Sequence, residues 1–157
     1  MDDPAPRQTI APGQAASKGG AAAPDAALDS ERSLLRFGPM GIGVSFSRPG
    51  MFTVTHQNCT EIVATDTRVC GVRRLPQFAF ARRGKHAGEL VFSVPWREVV
   101  EIKRADYLLN AALWIRYRRG DEVKELGLGA GLFWRRSIRV LEEIARRQIG
   151  QIADGGS

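Results

Sequence analysis

The run Arg82-Arg83-Gly84-Lys85-His86 carries the chain's clearest chemical signal. Guanidinium forks meet phosphate oxygens two at a time, lysine adds a point charge, and glycine lets the backbone close around an anion. That chemistry binds; it does not make or break bonds. Arg73 and Arg74 precede the run and can share its end of a sheet. The competing reading is a solvated loop whose charge serves only solubility. A second basic group, Arg116, Arg118 and Arg119, stands beside Trp114, and arginines interleaved with an aromatic on a strand can stack bases and touch phosphates. No RNP-like motif accompanies it, and an outer face where Trp114 packs beneath arginine stems explains it equally well.

Other constellations are weaker. Gly127, Gly129 and Gly131 precede a helical pattern, but they lack the Gly-Lys-Ser/Thr ending and the spacing of a phosphate loop, which predicts a flexible connector. His56, Cys59, Cys70 and His86 are zinc-ligand types, yet Cys70 and His86 fall on different segments with no paired spacing, so no metal is expected. No third group orients a Cys–His pair as a nucleophile. Asp66 belongs to a turn, and Glu98 and Glu101 to a structural stretch, so no carboxylate pair suggests acid–base work. No enzyme activity and no cofactor are expected.

The totals fit this picture. A chain of 157 residues with net charge +6 and pI near 10.0 suits one soluble domain that meets polyanions. Asp2, Asp3, Asp25, Asp29 and Glu31 outweigh Arg7, Lys18, Arg32 and Arg36, so the basic excess lies after Met40. Nothing reads as a signal peptide or a membrane span, which predicts a cytoplasmic protein. Two cysteines make no disulfide framework, and reduced, partly buried thiols are expected.

The elements that position these groups are mostly strands. Residues 1–29, rich in Ala, Pro and Gly, read as a disordered tail. Residues 30–37 fit a short helix or an edge strand. Ile42, Val44 and Phe46 alternate with small residues as a half-buried strand, and residues 51–55 form another. Residues 61–64 and 68–72 flank Thr65-Asp66-Thr67 as a β-hairpin, because Asp and Thr fold their side chains onto turn N–H groups. Its second strand sets Arg68, Cys70 and Val72 on one face and Val69, Gly71 and Arg73 on the other. Residues 78–81 read as a short strand. Next comes a strand with Leu90, Phe92 and Val94 on one face, then one with Val100 and Ile102 facing inward.

Residues 106–110 read as a connection. Leu113, Ile115 and Tyr117 alternate strongly, and Gly120-Asp121 turns the chain into residues 123–128. From Leu132 to Ile149 the period changes. Trp134, Ile138, Leu141 and Ala145 make a helical stripe, supported by Glu142–Arg146 and Glu143–Arg147 pairs and capped at Gly150. Residues 151–157 read as a fraying tail. The pattern is mainly β, a curled antiparallel sheet or partly open barrel closed at its mouth by one C-terminal amphipathic helix.

Here the chain resembles the pleckstrin-homology-like superfamily, in its bacterial PH and GRAM branch. The residues VATDTRV, 63–69, are similar to that family's hairpin of strand, Thr-Asp-x-Arg and strand. The residues LVFSVPWREVVEI, 90–102, are similar to its strand, x-Pro, polar turn and Ile/Val segment. The Trp114 strand, the Gly120 turn and the last helix follow in the expected order, covering about residues 51–147. Residues 41–55 and 78–87 match less well.

The resemblance implies a PH-like domain over residues 30–150 and a binding module rather than an enzyme. It implies loops at the open end that engage anionic lipid headgroups or peptides. The expected partner is therefore an anionic membrane surface or an acidic protein, met through Arg73, Arg74, Arg82, Arg83 and Lys85. A pure protein–protein scaffold is the alternative, and a nucleic-acid-binding β-domain is the third reading.

Overall fold

The computed structural model describes residues 28, 30–48, 51–74 and 88–155. Of the tail read at 1–29, all but Leu28 lies outside the described residues, as do the strand read at 78–81 and the basic run 82–86.

The hairpin forms where the sequence places it. Strands β4 (Thr60–Thr65) and β5 (Arg68–Arg73) pair in antiparallel register, Ala64 opposite Val69 and Thr60 opposite Arg73. Thr65 makes the turn, its hydroxyl accepting the N–H of Thr67 at 3.3 Å and of Arg68 at 3.1 Å. Asp66 is exposed, so the turn chemistry belongs to the threonine. The ambiguous residues 30–37 resolve as edge strand β1 (Ser33–Phe37), which pairs with β4. On the other side of the hairpin, β6 (Leu90–Pro95) pairs with β5, completing a four-stranded sheet in the order β1-β4-β5-β6.

The second sheet has five strands among the described residues. They are β2 (Ile42–Arg48), β3 (Met51–Gln57), β7 (Val99–Asp106), β8 (Asn110–Arg119) and β9 (Glu122–Gly131), in the order β3-β2-β9-β8-β7. The domain is thus mainly β, two antiparallel sheets that do not close into a barrel, with the helix at the C-terminus. Helix α1 (Arg135–Gly155) packs on β1, an edge of one sheet, and on β7, an edge of the other, so it covers the mouth between them. Its stripe of Ile138, Leu141 and Ala145 is fully buried. Those residues join Ile62, Val69, Leu113, Ile115 and Leu128 in one core.

The structure corrects five readings. The helix does not stop at Gly150; it runs on through Gly155 with residues 151–155 exposed, because glycine weakens a helix without ending it. Gly127, Gly129 and Gly131 are not a connector. They lie within β9, hydrogen-bonded to β2 on one side and β8 on the other. Leu90 does not share a face with Phe92 and Val94: the register slips by one residue against Gly71 and Val72, and Leu90 turns to the outside of the sheet.

A second bulge, between Val99 and Glu101, buries Val99, turns the half-buried Ile102 inward and leaves Val100 58% exposed. The folded part also begins earlier than Ser30. Leu28, 2% exposed, packs with Val63, Cys70, Val72 and Leu90 on the outer face of the four-stranded sheet.

Candidate functional site

The registers sort the connections between two ends. Near the hairpin turn, polar groups satisfy one another. Glu31, just before β1, accepts from the hydroxyls of Thr65 and Thr67, both at 2.7 Å, and forms an ion pair with Arg68. Buried Trp96 sits in a 3-10 turn after β6. Its ring N–H donates to the Thr65 carbonyl at 2.9 Å and its backbone N–H to that of Thr67 at 3.0 Å. This end is a clasp.

The opposite end differs. Glycines at φ +102° (Gly38) and +75° (Gly41) turn the chain from β1 to β2 in a conformation that larger residues resist. The Gly41 N–H donates to the Asn58 side chain at 2.7 Å, and the Gly41 carbonyl accepts from the Gly131 N–H at 2.9 Å. Asn110 pairs with Gly131, so the β7–β8 connection lies beside the stretch leading into α1. The Trp134 ring N–H donates to the Met40 carbonyl at 2.6 Å, and its ring tilts onto Phe37 with centroids 5.9 Å apart. Three connections are thereby held side by side. They present Met40, Tyr107, Leu108, Leu109, Leu132 and Phe133 to solvent, Leu108 at 88% and Phe133 at 95% exposure.

Arg73 and Arg74 lie at this same end, where the Arg74 N–H donates to the Cys59 carbonyl and the Gly88 N–H to the Arg73 carbonyl. Both contribute charge to ion pairs. Arg74 Nε lies 2.8 Å from Glu61, and Arg73 lies 3.9 Å from Glu89. His56 is beside them. Burial first, and then the Arg73 charge, lower its pKa, while Glu89 opposes them in part. Arg82, Arg83, Lys85 and His86 lie outside the described residues. Arg135 opens α1 within 3.9 Å of Asp106, while Arg104 bridges Asp106 and Glu142. Arg136 and Arg139 are exposed, and no acidic side chain stands in the helix's first turn.

The second basic group lies on the outer face of the five-stranded sheet. Arg116 forms 2.9 Å ion pairs with both Glu101 and Glu125, and these bonds hold its pKa above the ordinary guanidinium value, Glu125 first. Trp114 lies across Gly127. A Cβ there would come within 2.5 Å of the indole and 2.4 Å of the Ser45 hydroxyl, so only glycine leaves the ring its place. Arg116 and Trp114 flank an open groove of about 430 Å³ that Lys103 and Tyr107 also line. Arg118 lies along a separate shallow groove with Arg97 and Glu98, and Arg119 is exposed at the end of β8. Arg116 and Arg118 share the outer face of β8 but line separate grooves.

Cys59 and Cys70 are free and fully buried. Burial pushes the Cys70 thiol up to about 11, which keeps it protonated and inert. Among the described residues no group of His, Cys, Asp and Glu is placed to hold a metal. No helix among them is long and apolar enough to cross a membrane.

The sequence reading passed over the apolar end. The available signal was the composition of the turns. Tyr107-Leu108-Leu109 and Leu132-Phe133 occupy connections, where turn chemistry ordinarily selects Gly, Asn, Asp or Ser.

No family model matches this chain, and no curated protein matches it either.

Proposed function

We propose that this chain is a non-enzymatic binding module of the pleckstrin-homology-like kind. It works in the cytoplasm and docks peripherally on an anionic surface of the inner membrane through one loop-bearing end of its two-sheet fold. One observation carries the reading: a rigid scaffold holds three connections side by side and turns large apolar side chains outward next to the arginines that open α1. Exposed apolar residues in a cluster, rather than singly, mark an interaction site. Arg82, Arg83 and Lys85 follow Arg73 and Arg74 in sequence and add to the positive charge of this stretch of the chain.

A protein partner is the second reading, favoured by the open groove that Trp114 and Tyr107 line. Nucleic acid is the weakest, because Arg116 is already bonded to Glu101 and Glu125.

Co-sedimentation with vesicles tests the proposal. Salt-sensitive binding to phosphatidylcholine vesicles containing phosphatidylserine is expected, with little binding to phosphatidylcholine alone. Equal binding to RNA or DNA, or none to anionic vesicles, overturns it.

A further inference from the structure

We infer that the apolar end is an insertion tip: Leu108, Leu109 and Phe133 enter the interfacial layer of an anionic bilayer while Arg135, Arg136 and Arg139 rest on the headgroups. This deepens the membrane reading above and rests on it.

Shape is the first observation. Leu108 and Leu109 cap the β7–β8 hairpin, and Phe133 stands on the 3-10 turn between β9 and α1. Pairing of Asn110 with Gly131 sets these two connections next to each other, and the Gly41–Gly131 hydrogen bond adds Met40. Side chains at 88%, 70% and 95% exposure protrude from the fold. A protrusion of this kind fits a soft apolar medium that closes around it; a rigid protein partner would have to offer a matching hole.

Charge is the second, independent observation. The N-terminal end of a helix carries partial positive charge and ordinarily gathers acidic residues. Here the first five positions of α1 hold Arg135, Arg136 and Arg139 and no acid in the first turn. Of these, Asp106 lies near Arg135 alone. Arg136 and Arg139 have no ion-pair partner among the described residues. The helix end and its arginines thus present concentrated positive charge next to the apolar tip. Interfacial anchors combine these two features, apolar area for depth and cations for anionic headgroups.

The test uses the full chain. A Phe133→Cys variant takes an environment-sensitive fluorophore at that site, because the native thiols are buried. On phosphatidylserine-containing vesicles its emission should shift to the blue and gain intensity. A Leu108→Ser/Phe133→Ser variant should keep the wild-type melting temperature, since both side chains already face water, and lose about tenfold or more in vesicle affinity. Phe133→Trp should retain it.

Vesicle binding without the spectral shift, with the double variant binding as wild type, would overturn insertion while leaving peripheral docking in place. Failure of the wild type to bind any vesicle removes both. A wild-type dimer that the double variant converts to monomer, with vesicle binding unchanged, would reassign the tip to self-association and also overturn the inference.

Discussion

Replacing Glu31 by glutamine tests the clasp at the hairpin end. The carboxylate accepts from Thr65 and Thr67 at 2.7 Å and from Arg68 Nε at 3.1 Å, and Arg68 Nη2 closes an ion pair with it. An amide at this position loses the charge and turns N–H donors toward the Arg68 guanidinium. A hydrogen bond to a charged group is worth about 1.5–3 kcal/mol, and losing one member of an enclosed pair costs more. Three facts reduce the sum: Glu31 and Arg68 keep 19% and 22% of their side-chain surface in contact with water, Thr67 is exposed, and the Thr65 hydroxyl can turn to the Arg68 carbonyl at 3.1 Å. A loss of about 2 kcal/mol follows, or roughly 8 °C in melting temperature for a domain of this size.

The pH dependence makes the test specific. Burial raises the Glu31 pKa, but the hydrogen bonds from Thr67, Thr65 and Arg68, with the Arg68 charge, together bring it below the ordinary 4.5. The unfolded chain therefore binds the proton more readily than the folded one. Stability contributed by Glu31 is complete above 4.5 and is lost as pH falls through the lower folded value. Melting followed by circular dichroism should show a gap between wild type and Glu31→Gln at neutral pH that narrows in acid. A gap of equal size at pH 7 and in strong acid, or no gap at either, refutes the clasp.

Three further predictions concern the core and the thiols. Gly71→Ala would place a Cβ 2.4 Å from Phe92 and 2.7 Å from Thr60, so it should destabilise by about 1–3 kcal/mol, and pairing it with Phe92→Leu should recover part of the loss in a double-mutant cycle. Ile138→Ala removes a fully buried side chain on the inner face of α1 and should cost about 2–5 kcal/mol in chemical unfolding; an unchanged midpoint would mean that the helix does not cover the mouth between the sheets. Cys59 and Cys70 should resist a thiol reagent in the native protein and react together on unfolding, whereas prompt native reaction would contradict their burial.

Legibility in the sequence followed regularity. Leu113, Ile115 and Tyr117 alternate in β8, and Ile138, Leu141 and Ala145 repeat at helical spacing in α1; both faces lie as the pattern implies. The Thr65 hairpin was equally plain, because its turn chemistry is local. Failures came where one residue interrupts the pattern. A bulge beside Val91 sends Leu90 outward, and another at Val100 exposes a valine that strict alternation would bury. Glycine spacing in β9 resembled a loop because its cause is distant in sequence, the Trp114 indole lying across Gly127. The partners of Arg73 and Arg74 were hidden for the same reason, since Glu89 and Glu61 reach them only once the strands are in register.

The two ends of the domain therefore call for different explanations. At the hairpin end, Thr65, Thr67, Arg68, Glu31 and Trp96 bond to one another, an arrangement accounted for by stability alone. At the far end, folding gains nothing from holding Leu108 and Phe133 in water, and three arginines at the start of α1 oppose its dipole. Features that stability does not explain are the places to expect function. Substitutions at the two ends should then separate cleanly: Glu31→Gln lowers melting and leaves vesicle binding intact, whereas Leu108→Ser/Phe133→Ser leaves melting intact and lowers binding. If both variants moved both measurements together, the two ends would form one cooperative unit, and the division between scaffold and tip would fail.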